Sequence, residues 1–341
     1  MSIDLAYFEL PFRVPHRVGT TTLTARRGVV VRKRLGRRVG FGEVSPLPGA
    51  HRETLAQAVE SLIEGVRNSS SPMLPSAAFG LSCAVETAAA NPRYGLADQP
   101  RTVDIGVNAL FSGTAEDARA AIESGAFEGF RTVKLKIGRA RRADDHRLIQ
   151  TAIELLPREV RLRLDGNRTM GLTGIVGLLR DVDTRRIEYL EEPLRNHTDL
   201  CELARRTQVS VAIDESLYDP EALEHVLGAP GIDVQVVRPS LMGSLEEVEA
   251  VITRGRINGM DTVLSTALES SYTIALVARL ATVMEVGDRD HGLSTAPFLS
   301  QDLVDPMPVV GGRMALARAL PVPSLEFVPA EKFTLPASAR A

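Results

Sequence analysis

Short apolar runs that end in a carboxylate recur through the middle of the chain. Three of them end at Asp165, Glu191 and Asp214, which are 26 and 23 residues apart. This spacing has room for one strand, one helix and two short loops in each step. The pattern therefore predicts parallel strands whose carboxyl ends lie side by side, with the three carboxylates at one place.

The first hundred residues have a different pattern. Alternating apolar and polar positions predict strands over residues 3–11, 22–34 and 39–44, and amphipathic periodicity predicts helices over 53–66 and 77–90. An antiparallel sheet followed by helices is typical of a separate α+β unit.

From residue 102 onward, about eight β-runs alternate with helical segments, which is typical of a parallel (β/α) barrel. The predicted strands are 102–109, 132–137, 161–165, 187–191, 209–214, 234–238, 262–265 and a weak run before Ser294. A doubly wound sheet competes with the barrel, but no glycine-rich phosphate turn follows the first strand. We therefore predict a barrel with an incomplete last repeat.

Three parts follow from these patterns. We predict an α+β capping domain over residues 1–101, a barrel over 102–315, and a tail over 316–341. The tail contains a short β-like run at 325–328, through which it returns to the first domain.

Composition narrows the function classes. With 341 residues, 44% hydrophobic content and a net charge of −3, the chain can build a large core but lacks the basic surface of a nucleic-acid-binding protein. No apolar run is long enough for a bilayer, and residues 1–4 lack a signal-peptide pattern. We expect a cytoplasmic protein with no evident obligate protein partner, with Cys83 and Cys201 reduced.

The three carboxylates predict a metal site. Three such groups at one place require neutralisation, and a hard divalent cation with oxygen ligands provides it. Each carboxylate taken singly is more often a helix cap than a ligand. Three in register, each directly after a β-run, favour the metal.

Lysine usage singles out one further strand. Only four of the 40 basic residues are lysines, namely Lys33, Lys134, Lys136 and Lys332. Lys134 and Lys136 share one face of their strand because side chains alternate. A solvated sheet edge would explain the pair, but barrel strands bury both faces. Unlike arginine, a buried lysine beside other cations can lose its proton, so Lys136, nearer the strand end, is the candidate base.

These motifs resemble the enolase superfamily, and the resemblance covers most of the chain. It implies a modified (β/α)8 barrel of the TIM-like (β/α)7β type behind an α+β capping domain. It also implies Mg²⁺, with Mn²⁺ as an alternative occupant, at Asp165, Glu191 and Asp214, and a catalytic lysine pair at Lys134 and Lys136. Within the superfamily, several segments resemble the o-succinylbenzoate synthase family: residues 42–49, 163–167, 213–217, 238–244 and 265–271.

One residue departs from the family pattern. Such families end the sixth barrel strand in Lys-Pro-Ser, and this chain has Arg238-Pro239-Ser240. Drift toward arginine explains the change as well as a functional reason does. An arginine supplies charge but does not exchange protons. Arg238 therefore favours a dehydration, which needs one base, over an epimerisation by two bases.

The resemblance implies Mg²⁺-dependent syn-dehydration of 2-succinyl-6-hydroxy-2,4-cyclohexadiene-1-carboxylate, a small-molecule carboxylate, to o-succinylbenzoate in menaquinone biosynthesis. The alternatives are an N-acylamino-acid racemase or dipeptide epimerase, a muconate-type cycloisomerase, and a metal-binding barrel without catalytic activity.

Weaker candidates lie near strand ends or in the first predicted hairpin. They are Arg163, Ser265, Ser294, Gly19 and Thr20 for substrate binding, and Asn167 and Glu215 as supporting residues. Support for Asp165 explains Arg163 at least as well. Helix capping explains the two serines equally well, a strand-ending turn explains Asn167, and a plain hairpin loop explains residues 18–22.

Overall fold

The structure, a computed structural model, describes residues 2–19, 21–97 and 103–339. The strands in this part of the chain are β1 Asp4–Val18, β2 Thr21–Leu35, β3 Arg38–Val44, β4 Val103–Gly106, β5 Ala109–Phe111, β6 Thr132–Lys136, β7 Arg161–Asp165, β8 Ile187–Glu191, β9 Val211–Ile213, β10 Ile232–Val237, β11 Asp261–Leu264, β12 Val309–Val310, β13 Arg313–Leu316 and β14 Val328–Pro329. The α-helices are α1 Leu55–Arg67, α2 Pro75–Ala88, α3 Ala115–Glu123, α4 Arg142–Leu155, α5 Leu172–Leu178, α6 Leu200–Thr207, α7 Pro220–Val226, α8 Pro239–Met242, α9 Leu245–Ile257 and α10 Ser271–Val283.

The N-terminal unit is a four-stranded antiparallel sheet in the order β14-β1-β2-β3, covered by α1 and α2. Helix α2 lies very close to β3 because the strand has glycines where the two meet. A Cβ added to Gly42 would lie 1.8 Å from the carbonyl oxygen of Gly80. Strand β14 of the tail pairs with the start of β1, where Leu5 faces Val328.

Seven parallel strands in the order β11-β10-β9-β8-β7-β6-β5 form the second sheet. Because consecutive strands are neighbours throughout, the doubly wound alternative is wrong. The gap between β11 and β5 is closed by His291 and Gly292, which form parallel bridges with Val107 and Ser265. These two residues occupy the place of the weak eighth strand expected before Ser294. The chain therefore has the predicted modified barrel with an N-terminal capping domain.

One predicted strand is divided in the structure. Residues 102–109 were expected to form the first barrel strand, but β4 pairs antiparallel with β13, and the barrel sheet begins only with β5. The β12–β13 hairpin supplies the competing edge, and its turn contains Gly311 and Gly312, both with positive φ. A Gly-Gly pair between two β-runs is a hairpin signal that the sequence contains.

The register of the barrel stacks its inward side chains in layers. Lys136 lies beside Asp165, and Asp165 beside Glu191, so the ends of β6, β7 and β8 form one layer. The barrel interior around β8 to β11 is filled by buried side chains, namely Tyr189, Ala212, Val234, Val236 and Val263. Among the described residues, no helix has both the length and the apolar character needed to cross a membrane.

Candidate active site

A cavity of about 710 Å³ lies between the carboxyl ends of the barrel strands and the capping domain. The turn at Gly19 and residues Leu47 and Gly49 line it from the capping side. A larger cavity of about 1230 Å³ lies at the other end of the barrel, beside Thr132 and Arg161. We assign the site to the first cavity because barrel enzymes carry their chemistry at the carboxyl ends of the strands.

The predicted lysine pair contacts two of the three carboxylates. Lys134 is buried, and its Nζ lies 2.7 and 2.6 Å from the two carboxylate oxygens of Glu191. Lys136 Nζ donates to Asp165 Oδ2 and, at 2.9 Å, to Asn167 Oδ1. Both lysines are thus enclosed in the barrel rather than solvated at a sheet edge.

Asp214 and Arg238 form the opposite side of the site. Arg238 donates from its guanidinium to Asp214 Oδ2, while Asp214 Oδ1 is buried without a hydrogen-bond partner in the described part of the chain. The backbone N–H of Arg238 donates to the hydroxyl of Tyr218 at 3.0 Å. The guanidinium therefore faces the site, while its own backbone is fixed from the preceding loop.

Burial and charge shift the pKa values of these carboxyls in opposite directions. Burial raises the pKa of Glu191 and raises that of Asp214 well above its ordinary value, and nearby carboxylates add to both effects. Burial also acts on Asp165, but Lys136 and Lys134 outweigh it and hold its pKa below the usual range. Burial lowers the pKa of Arg238, but Asp214 outweighs this and raises it overall.

These residues have the donor chemistry that Mg²⁺ takes. Three carboxylates end adjacent strands, and Asp214 Oδ1 is a buried acceptor whose hydrogen-bonding capacity is unused. In the described residues, no three His, Cys, Asp or Glu side chains already converge as a metal site. Each of the carboxylates instead pairs with Lys134, Lys136 or Arg238. Metal binding at these positions therefore stays a prediction.

The loops after β7, β8 and β9 hold each other in place. Glu192 has a positive φ of 36°, and its buried carboxylate accepts from the backbone N–H of Asp214 at 2.9 Å and from Arg168 Nε at 3.0 Å. Asn167 links Lys136 to Glu215 by donating from Nδ2 to Glu215 Oε1 at 3.1 Å. Asn167 and Glu215 are thus in contact with the site, and their supporting role stays a prediction.

The structure separates the weaker candidates. Ser265 and Ser294 line the cavity and donate to backbone carbonyls at 3.2 and 2.8 Å, and neither caps a helix. Gly19 also lines the cavity, whereas Thr20 lies outside the described residues.

Arg163 does not line the cavity, so its position argues against the substrate-binding assignment. The side chain is fully buried one layer below Asp165, where it donates to Glu188 Oε2 at 2.7 Å and to the carbonyl of Asp290 at 2.6 Å. Its guanidinium also stacks on the Tyr189 ring at 4.7 Å. Alternation along β7 directs Arg163 inward, and the deeper layer has the acidic partner.

Sequence reasoning did not single out several residues that line the cavity, among them Arg139, Arg168 and Tyr218. Arg139 and Arg168 lie in loops directly after strand ends, and Tyr218 ends the 3₁₀ helix Glu215–Tyr218 that follows β9. The signal that was available is position: Arg139 follows Lys136 by three residues, and Arg168 follows Asp165 by three.

Comparison with known proteins agrees with this architecture. The family model described as "Enolase C-terminal domain-like" matches residues 114–321, and the one described as "MenC, N-terminal domain" matches residues 2–88. The chain belongs to the enolase superfamily.

Within the superfamily, the chain is similar to proteins named o-succinylbenzoate synthase. It is 31% identical to that of Klebsiella pneumoniae (strain 342), over 84% of this chain and 88% of the relative. It is 30% identical to that of Pectobacterium atrosepticum, over 90% and 94%. Its fold is that of the dipeptide epimerase from Enterococcus faecalis V583 complexed with Mg and dipeptide L-Leu-L-Tyr, with a TM-score of 0.80, 18% identity, and coverage of 94% and 97%.

Proposed function

We propose that this protein catalyses the syn-dehydration of 2-succinyl-6-hydroxy-2,4-cyclohexadiene-1-carboxylate to o-succinylbenzoate, a step of menaquinone biosynthesis. The observation that carries the proposal is the pair of cations across the carboxylate layer, with a lysine on β6 and an arginine after β10. The names of the similar curated proteins support the same reaction.

In this proposal Asp165, Glu191 and Asp214 hold Mg²⁺. When bound, the ion supplies the positive charge that favours an enediolate over a carboxylate with an intact α-C–H bond. Lys134 stays paired with Glu191 and keeps that carboxylate in orientation.

Lys136 carries out both proton transfers. Its neutral amine removes the α-proton, so the C–H bond breaks and the electron pair enters the ring system. The resulting ammonium then donates the proton to the departing hydroxyl on the same face. The C–O bond breaks, water leaves, and the ring becomes aromatic, which makes the step strongly downhill. Asn167 orients Lys136 through its 2.9 Å contact.

Arg238 limits the reaction to one base. A guanidinium does not lose its proton at physiological pH, so the side chain opposite Lys136 provides charge but no second proton acceptor. A two-base racemisation needs an acceptor on each side of the α-carbon, and a syn elimination needs one acceptor only.

The assay follows the ultraviolet absorption change on aromatisation of the cyclohexadiene substrate with Mg²⁺ present. We expect turnover by the wild type and none after chelation with EDTA. Absence of turnover by folded, Mg²⁺-loaded protein would refute the dehydration.

A second candidate is racemisation or epimerisation of N-acylamino acids or dipeptides. The observation in its favour is the likeness to the dipeptide epimerase fold. A panel of N-succinyl amino acids and dipeptides assayed beside the ring substrate separates the two candidates.

A further inference from the structure

The cavity is rich in cations, and most of them already have partners. Seven lysine or arginine side chains line it: Arg17, Arg52, Lys134, Lys136, Arg139, Arg168 and Arg238. Lys134, Lys136, Arg168 and Arg238 pair with carboxylates. Arg17 and Arg52 donate to backbone carbonyls. That leaves one cation without a described role.

Arg139 is this remaining cation. Within residues 2–19, 21–97 and 103–339 it makes no hydrogen bond or ion pair, although it lines the cavity beside groups that do. Arg139 is exposed, so its donors face solvent at the cavity, where a ligand can reach them.

The loop that carries Arg139 is fixed in place. Gly138 has a positive φ of 77°, and its backbone N–H donates to the buried Asp145 carboxylate of α4 at 2.8 Å. A Cβ on Gly138 would lie 2.0 Å from Thr169 Oγ1, so the loop packs tightly on the next loop of the barrel. Glycine is needed here for both its conformation and its size, and it sets where the Arg139 backbone leaves the barrel.

Arg139 faces the capping domain across the mouth of the cavity. His16, on β1, stacks with Phe12 and lies 5.2 Å from the Phe298 ring, measured between ring centroids. His16 and Arg139 line the same cavity. Burial lowers the pKa of His16, and the positive charges of Arg139 and Lys136 lower it further. The permanent positive charge of Arg139 thus lies in the same cavity lining as the His16 ring.

We infer that Arg139 binds a second carboxylate of the substrate, at the mouth of the cavity, and thereby selects dicarboxylates. The inference rests on the proposed function, which places the first carboxylate at the far end of the cavity, near Asp165, Glu191 and Asp214. In the proposed substrate the second carboxylate is the end of the succinyl chain. A planar guanidinium with free donors suits such a group.

The test compares o-succinylbenzoate with its ester methylated at the succinyl carboxylate, by titration calorimetry with Mg²⁺ present. We expect the wild type to prefer the dicarboxylate by about tenfold or more, in line with the loss of a hydrogen bond to a charged group. Arg139→Ala should lose this preference, and Arg139→Lys should retain part of it.

Arg141→Ala is the matched control, because Arg141 is an exposed arginine of the same loop that pairs with Asp144 and does not line the cavity. It should behave as the wild type. In turnover, Arg139→Ala should raise KM about tenfold or more while changing kcat less than about threefold, as expected for a residue that binds substrate and transition state equally.

The outcomes separate the inference from the proposed function. Equal binding of acid and ester by the wild type, or a preference that survives in Arg139→Ala, would overturn the inference even if the ring substrate turns over. An Arg139-dependent preference without aromatisation would refute the proposed reaction and uphold the dicarboxylate site.

Discussion

Glu188 and Glu191 lie near opposite ends of one strand, β8, and the pKa values of their carboxyls are shifted in opposite directions. Burial acts to raise the pKa of both carboxyls. At Glu188 two arginines, Arg163 and Arg289, outweigh it, and the pKa lies below the ordinary value. At Glu191 the lysine does not outweigh burial, and the pKa lies above it. The arginines thus stabilise the charged form of Glu188, whereas the lysine beside Glu191 does not fully offset the effect of burial.

The partners at the two ends are also of different kinds. At the amino end, Arg289 joins Glu188 at 2.6 Å and Asp261 at 2.8 Å, so arginine pairs with both of these acidic groups. At the carboxyl end the carboxylates of β7 and β8 pair with lysines, and oxygens of Asp214 and Glu215 have no hydrogen-bond partner among the described residues. Glu188 and Asp261 at the amino end thus pair with arginine, whereas Asp165 and Glu191 at the end proposed for catalysis pair with lysines.

The largest expected effect on the rate comes from replacing Lys136 with arginine. Lys136→Arg keeps the charge beside Asp165 but removes a group that can become neutral, so aromatisation should fall by about 10²–10⁴-fold or more. The melting temperature should change little. Lys33→Arg, at a buried strand lysine that donates to the carbonyl of Ser2, is the control and should keep its rate. Comparable rates in both variants would remove Lys136 as the base.

Removing Arg163 at the amino end of the barrel should lower the free energy of unfolding. Arg163→Met leaves Glu188 with one arginine and removes the donor to Asp290, and loss of one member of a buried pair costs about 3–5 kcal/mol. Urea unfolding at pH 7 measures the change in the free energy of unfolding. Arg185→Met breaks the exposed pair with Asp183 and should leave the free energy of unfolding nearly unchanged.

The loss of stability in Arg163→Met should depend on pH. Because the folded pKa of Glu188 is depressed, its contribution is present above the unfolded value and is lost as the pH falls through the folded value. The difference between wild type and Arg163→Met should therefore shrink in acid. A difference that grows as the pH falls would contradict the assignment.

The affinity for Mg²⁺ tests the roles of Asp214 and Glu215 at the carboxyl end of the barrel. Asp214→Asn should weaken Mg²⁺ binding by more than the roughly 10- to 100-fold that loss of an outer partner costs, and Glu215→Gln should fall within that range. Calorimetric titration with Mg²⁺ measures both variants. Equal affinity of wild type and Asp214→Asn would exclude Asp214 from the metal site.

The smallest effect is expected at Arg238. Arg238→Lys keeps the positive charge near Asp214, so the dehydration rate should stay within about tenfold of the wild type, because no general acid or base is lost. Ultraviolet assay of aromatisation measures it. A loss as large as that of Lys136→Arg would give Arg238 an equal part in the chemistry.

The layer of Lys136, Asp165 and Glu191 was predictable because it depends on local rules: alternation along a strand and parallel register between neighbours. The pairing of β4 with β13 was not, since it joins segments about 200 residues apart in sequence and competes with a local strand prediction. The position of Arg139 follows from a left-handed glycine and a contact with Thr169, neither of which has a periodic signal.

The central claim is that Lys136 alone moves the proton, and isotope exchange tests it most directly. N-succinyl amino acids of each hand, incubated with the Mg²⁺-loaded wild type in D₂O, can be followed by NMR of the α-proton. We expect any exchange to be confined to one enantiomer, with no racemisation, because Arg238 accepts no proton from the other face. Exchange of both enantiomers, with racemisation, would contradict the one-base account and favour the racemase.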